Sequence, residues 1–249
     1  MVKEKTPTTY ASDEEIRAGV QDNKGGIYSA DFKRLLKFDE RMREKDGKNK
    51  DDYSVDSRCE TICDYAFNGC YYLKRVDLTN VKYIGRYAFF GCMNLKEVST
   101  SRNDVIVEYV GKKAFQHCTK IEEIEFPSKL FTIEEGVFCE CSSLRHVHNL
   151  ETVHTINREA FADCCKLQDF VFPDYLTTIG ESAFEGCDCL QEVVLPEFVR
   201  KICSRAFANC GNLKKFTIGN TKAEIAADAF VDCPRLQWRN DNNNINNVI

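Results

Sequence analysis

No run of 18 consecutive apolar residues occurs anywhere in this 249-residue chain, so its sequence writes in no membrane-spanning helix. The first 30 residues hold no apolar stretch of the length a signal peptide requires, and there is no Asn-x-Ser/Thr acceptor. Both absences point to a cytoplasmic chain that neither enters a membrane nor is secreted. A basic excess is missing too: the net charge is −5 without long like-charge blocks, which argues against a nucleic-acid partner. The signatures of common chemistries are lacking, among them a glycine-rich phosphate loop, a nucleophile elbow, a His-Glu-x-x-His helix and any Cys-x-x-Cys pair. The four histidines, His117, His146, His148 and His154, stand at different offsets from the cysteines, so no Cys–His catalytic pair recurs. Neither enzyme activity nor a cofactor is expected. With 43% apolar and 29% charged residues, the chain should nevertheless fold.

What the sequence does contain is a repeat. Phenylalanines recur at Phe67, Phe89, Phe115, Phe138, Phe161, Phe184, Phe207 and Phe230, in steps of 22, 26, 23, 23, 23, 23 and 23. Three residues after each comes a cysteine: Cys70, Cys92, Cys118, Cys141, Cys164, Cys187, Cys210 and Cys233. Six after each is Leu73, Leu95, Ile121, Leu144, Leu167, Leu190, Leu213 or Leu236; five before is Ile62, Ile84, Val110, Ile133, Ile156, Ile179, Ile202 or Ile225. A fixed apolar set in every repeat means that each unit covers its apolar edge against the same edge of its neighbours, the logic of a solenoid.

Within one repeat, Leu190, Val193 and Leu195 mark a short strand, and Leu176-Thr177-Thr178-Ile179 marks a second extended segment that Gly180 turns into the next element. Glu181 to Gly186 leaves room for one helical turn, with Ala183 and Phe184 facing the core. The residue two after Phe is Gly, Asp or Asn in six repeats, types that take a left-handed stop; His117 and Glu140 depart.

The phrase Ile179-Gly180-Glu181-Ser182-Ala183-Phe184-Glu185-Gly186-Cys187-Asp188-Cys189-Leu190-Gln191-Glu192-Val193-Val194-Leu195-Pro196 resembles the BspA-like class of leucine-rich repeats, as does the chain over about residues 59 to 240. The resemblance implies a right-handed leucine-rich-repeat solenoid of the α/β repeat class, mostly short parallel strands plus one-turn helices. It also implies a non-enzymatic binding role, often as a cell-surface adhesin toward host matrix or cells. Two features depart from the pattern: no secretion signal or anchor is evident, and the second-to-third step is lengthened near Ser101 to Asp104.

An open stack needs atypical ends. Residues 29–45 read as an amphipathic capping helix, with Ser29 as N-cap and Phe32, Leu35, Leu36 and Met42 as its apolar face. Tyr53 and Val55, 23 residues before Val76 and Leu78, suggest a partial strand of a zeroth repeat. The organisation expected is a mobile segment over 1–28, a capping helix and partial strand over 29–58, eight repeats over 59–240, and a disordered Asn-rich tail over 241–249.

The eight column cysteines read as small buried hydrophobes in a packing slot. Cys63 and Cys203, in the slot after the column Ile, are packing variants. Stacked repeats lie within the Cα range of disulfides, but parallel side chains point alike, so thiols are expected. Cys139, Cys165 and Cys189 fall on three consecutive repeats; with His117 they form a zinc alternative, set against isolated surface thiols.

The partner site should be the concave face of the strands. One outward column is Arg75, Glu97, Glu123, His146, Asp169, Glu192, Lys215, Trp238; the other is Asp77, Ser99, Glu125, His148, Val171, Val194, Thr217, Asn240. Eight strands about 4.8 Å apart span about 35 Å, enough for a protein bound to a monomeric module. Val171 and Val194, bordered by His146, His148 and Lys215, form either an apolar docking centre or ordinary strand valines. Trp238 is either an interface anchor or a cover for the last repeat, and the two histidines either tune binding with pH or are simply solvated.

Overall fold

A computed structural model describes residues 8–41, 51–100, 106–125 and 129–237. The repeats wind into a β-solenoid of about eight turns, one coil for each column Phe. The lengthened step near Ser101 to Asp104, Trp238, Asn240 and the 241–249 tail lie outside the described residues.

The chain opens with helix α1 (Asp13–Ala18), capped by the Ser12 side chain on the Glu15 amide, with Glu15 returning the bond to Ser12. Strands β1 (Val20–Gln21), β2 (Gly26–Tyr28) and β3 (Arg34–Phe38) follow, antiparallel to one another. Helix and strands thus occupy part of the stretch expected to be mobile. The capping helix expected over 29–45, of which 29–41 are described, does not form there: Arg34–Phe38 make β3, which runs parallel to β5 (Thr61–Ile62), Leu35 opposite Ile62. The reason is hydrogen bonding. The first coil presents a row of unpaired backbone groups that a strand satisfies and a helix cannot. Leu35, Leu36 and Phe38 are buried, and the Phe38 ring packs 4.9 Å from Phe67 as the plug of a coil before the first. Gly26 sits so close to Tyr53 that a Cβ would lie 2.0 Å from its hydroxyl. Tyr28, Tyr53 and Asp22 close this end, with hydroxyls 2.7 Å apart and Tyr53 donating to Asp22 at 2.8 Å.

Two strand series alternate along the chain. The Leu series is β4 (Asp52–Ser54), β6 (Arg75–Asp77), β8 (Glu97–Ser99), β10 (Glu123–Glu125), β12 (His146–His148), β15 (Glu192–Leu195) and β17 (Lys215–Ile218). After β5, the Ile series is β7 (Tyr83–Ile84), β9 (Tyr109–Val110), β11 (Thr132–Ile133), β13 (Thr155–Ile156), β14 (Thr178–Ile179), β16 (Lys201–Ile202) and β18 (Glu224–Ile225). Every pairing within a series is parallel and one repeat apart. The zeroth strand falls where the 23-residue offset places it, with Tyr53 opposite Val76.

Neither series is unbroken. The Ile series forms sheets β3-β5-β7-β9 and β11-β13-β14-β16-β18, while the Leu series forms β4-β6-β8, β10-β12 and β15-β17. The fifth coil contributes no Leu-series strand: Asp169 takes a φ of 50° between the paired strands of its neighbours. Phe170 and Phe172 there are buried against Phe184 at 5.0 and 5.4 Å.

The segment from Glu181 to Gly186 is not a helical turn. In each coil the amides alternate: Phe67 donates to Ala88 of the next coil at 2.7 Å, whereas Asn68 donates three residues back to Tyr65 at 3.1 Å. This row of coil-to-coil bonds runs from Phe67 through Phe207 without interruption. Alternation requires two left-handed residues per coil, at Phe −2 (Tyr65, Tyr87, Lys113, Gly136, Glu159, Ser182, Arg205) and Phe +2, where His117 and Glu140 conform with φ near 60°. Gly180 is not left-handed; a Cβ there would lie 2.6 Å from the Arg158 amide nitrogen, so it provides clearance from the adjacent coil.

The eight column rings form one stack. Successive centroids are 4.8, 5.1, 5.8, 5.4, 5.2, 5.2 and 5.4 Å apart, with planes within 17° of parallel. This spine is the core, flanked by the Leu, Ile and Cys columns, nearly all buried.

Candidate binding surface

In the Leu series, alternation turns every second side chain outward. Strand β15 shows it plainly, with Glu192 and Val194 exposed and Val193 and Leu195 buried. Register brings the outward residues into columns: Glu123 beside His146, Glu125 beside His148, Glu192 beside Lys215 and Val194 beside Thr217. Charges pair from coil to coil. His148 Nε2 lies 2.6 Å from Glu123, Lys215 Nζ 2.6 Å from Glu192, and Arg75 2.5 Å from Asp52. Exposed to solvent screening, such pairs orient side chains more than they stabilise the fold. The His146 and His148 rings are 6.2 Å apart.

Val171 is 80% exposed and Val194 58%, on consecutive coils, while their neighbours Phe170, Phe172, Val193 and Leu195 are buried. Over the described residues, from Arg75 to Lys215 and from Asp77 to Thr217, the outward columns run as spaced, with the fifth-coil interruption between β12 and β15. Val171 projects from that irregular segment and not from a ladder strand.

A sequence profile of the BspA-type leucine-rich repeat region matches six copies, over residues 47–164 and 108–237. The chain belongs to the BspA-type leucine-rich repeat family. A leucine-rich repeat protein from Eubacterium ventriosum shares its fold at 21% identity and a TM-score of 0.64, covering 96% of this chain and 56% of its own. The present chain thus spans little more than half the length of that protein. A second, from Bacteroides ovatus, is 18% identical with a TM-score of 0.53, covering 88% of this chain and 67% of its own. No curated protein matches.

The cysteine column of these BspA-type coils does more than fill space. Each thiol from Cys92 to Cys233 donates to the carbonyl of the Phe one coil earlier, at 3.0 to 3.3 Å. That carbonyl also accepts the amide three residues on, as Phe67 does from Cys70, so the small S–H supplies its second bond. Valine or alanine would fit the slot without this donor. All fourteen cysteines are free. Burial pushes Cys59 and Cys139 up to about 12 and Cys63 to about 11, and holds Cys118, Cys164 and Cys187 well above the ordinary thiol value.

Such thiols are poor nucleophiles. Under native conditions a disulfide reagent should titrate at most four of the fourteen quickly, the half-buried Cys165, Cys189, Cys203 and Cys233. The ten buried thiols should react only at the rate of unfolding. Rapid reaction of eight or more would contradict this packing.

The residues of the zinc alternative do not converge. Cys139 is buried and accepts from Gln116, His117 pairs with Glu140 at 2.8 Å, and Cys189 meets Cys165 through a backbone bond. Among the described residues no group of three or more His, Cys, Asp or Glu is placed to hold a metal ion. Nor, among them, is any helix long and apolar enough to cross a membrane.

One surface feature escaped the sequence reading, which followed the strand columns. On the turns leading into the Ile series, Phe131, His154, Tyr175 and Phe198 line up on consecutive coils. The signal was available in the 23-residue spacing of Phe131 to His154 and of Tyr175 to Phe198.

Proposed function

We propose that this chain is a non-catalytic protein-binding module, whose repeats over 59–240 dock a macromolecular partner on the open face of the Leu series. The observation that carries the reading is Val171 at 80% exposure beside Val194 at 58%, on a face otherwise polar. Valines left in water at the middle of a long face, rimmed by His146, His148, Glu123, Glu125, Glu192, Lys215 and Thr217, have the composition of an interface centre with its polar border. Trp238, which by sequence spacing follows Glu192 and Lys215 in the neighbouring column, is proposed as a further contact. The module acts as a monomer, with no role for a cofactor.

Affinity capture with the intact chain, set against Val171→Asp/Val194→Asp, tests the reading. Both positions are solvent-facing, so the double variant should melt within a few degrees of the parent while losing its specific partners. Capture unchanged by the two aspartates would remove this face from consideration.

A further inference from the structure

The strip formed by Phe131, His154, Tyr175 and Phe198 is separate from the open face. Ring centroids along it are 5.5, 5.9 and 6.1 Å apart. Phe131, Tyr175 and Phe198 are 51%, 58% and 46% exposed, although the core directly beneath takes Leu130, Val153, Leu176 and Val199 out of water almost completely. His154 is held in line by its Nδ1 donating to the Thr152 carbonyl at 2.8 Å. Four rings in file on coils four to seven make a continuous apolar edge.

Beside the rings runs a column of carboxylates at the same 23-residue spacing, Glu151, Asp174 and Glu197, all exposed. Several carboxylates in coil-to-coil columns are answered by a base on the adjacent coil: Asp51 by Lys74, Asp52 by Arg75, Glu135 by Lys112, Glu192 by Lys215. Among the described residues, none of the three strip carboxylates has such a partner. An aromatic file bordered by three exposed carboxylates complements a group that is cationic and flat. The arginine guanidinium stacks on rings and takes carboxylates in bidentate fashion, which the ammonium of lysine does less well.

We propose that this strip docks an extended, arginine-rich peptide segment of a protein partner, laid along the solenoid axis. In an extended peptide, alternate side chains recur every 6.6 Å or so, close to the pitch of the rings, so successive arginines meet successive coils. The proposal does not depend on the Val171 and Val194 face.

The test is fluorescence anisotropy of a labelled (Arg-Ser)6 peptide with the full chain at about 0.15 M salt, where exposed long-range attraction is largely screened. The parent should bind, and (Lys-Ser)6 should bind about fivefold more weakly. Phe131→Ser/Tyr175→Ser/Phe198→Ser and, separately, Glu151→Gln/Asp174→Asn/Glu197→Gln should each weaken (Arg-Ser)6 by at least about tenfold. Asp13→Asn/Glu14→Gln/Glu181→Gln, which removes equal charge at exposed positions outside the strip and outside the Leu-series face, should change it by less than about twofold. Because every altered side chain is exposed, the parent's circular dichroism should persist, and the single variant Tyr175→Ser supplies an independent reading if the triple is unstable. The proposal is overturned if the parent does not bind, if the ring variants bind as the parent does, or if the control triple loses as much as the strip triple.

Discussion

Raising the pH from 8 to 10 is expected to unfold the solenoid steeply. Ten cysteines are buried, and all ten have thiol pKa values above the ordinary one. For eight the leading cause is burial; for Cys70 and Cys210 it is a hydrogen bond to the thiol of Cys92 and of Cys233, with burial next. The sign follows from linkage. A folded-state pKa above the unfolded one leaves stability whole below the unfolded value, about 8.5, and removes it as pH climbs toward the folded value. Once the unfolded chain is ionised, each thiol withdraws about 1.4 kcal/mol per pH unit, so ten withdraw about 14, comparable with the 5–15 kcal/mol that holds an ordinary domain together. Tyr28, raised to about 12 by burial, adds to the loss above pH 10.

Circular dichroism of the reduced protein against pH should show a cooperative transition between about pH 9 and 10. Replacing Cys118, Cys141, Cys164 and Cys187 by alanine should cut the slope of unfolding free energy against pH by about four-tenths, in proportion to the thiols removed. A urea midpoint that stays constant from pH 7.5 to 10.5 would sink this account.

Phe184→Ala should be the most damaging single truncation. Its ring touches four others, Phe161 and Phe207 along the stack at 5.2 Å each, and Phe170 and Phe172 edge-on at 5.0 and 5.4 Å. Removing a buried phenylalanine costs about 3–5 kcal/mol, and the four ring contacts place this site at the top of that range. Because coils couple only to their neighbours, the stack should also lose cooperativity there, giving two urea transitions where the parent gives one. Phe230→Ala, at the half-buried end of the file, should cost less than half as much. A loss below about 2 kcal/mol at Phe184 would mean that the ring file is not the load path of the fold.

The parts of this architecture visible in the sequence are those that recur at one offset with one residue type. Phe, Cys, Leu and Ile each had a single job in every coil, so Phe67 through Phe230 predicted the stack and Tyr53 predicted the zeroth strand. The capping strand was misread because Phe32, Leu35, Leu36 and Met42 have helical spacing, and only the unpaired edge of β5 decides that Leu35 must sit opposite Ile62. The turn was misread because its second left-handed column is filled by Tyr65, Tyr87, Lys113, Glu159 and Arg205, types that carry no such signal. Their backbone cost of about 1–2 kcal/mol each is offset by bonds to the next coil, a tertiary effect. On the proposed binding face the alternation of β15 was legible, but not the break at Asp169, because Phe170 and Phe172 keep the alternating pattern of a strand while Asp169 takes a positive φ that its residue type does not announce.

Three rows of bonds tie each coil to the next, and their interruptions are staggered like the joints in brickwork. Where the Leu series breaks between β8 and β10, the Ile series runs on through β7 and β9; where the Ile series breaks between β9 and β11, β10 and β12 hold. Through the skipped fifth coil β11, β13 and β14 continue, and the turn row never parts. Among the described residues no cross-section of the rod coincides with a gap in more than one course, so every coil-to-coil junction keeps at least two rows of bonds and no single break can part the rod.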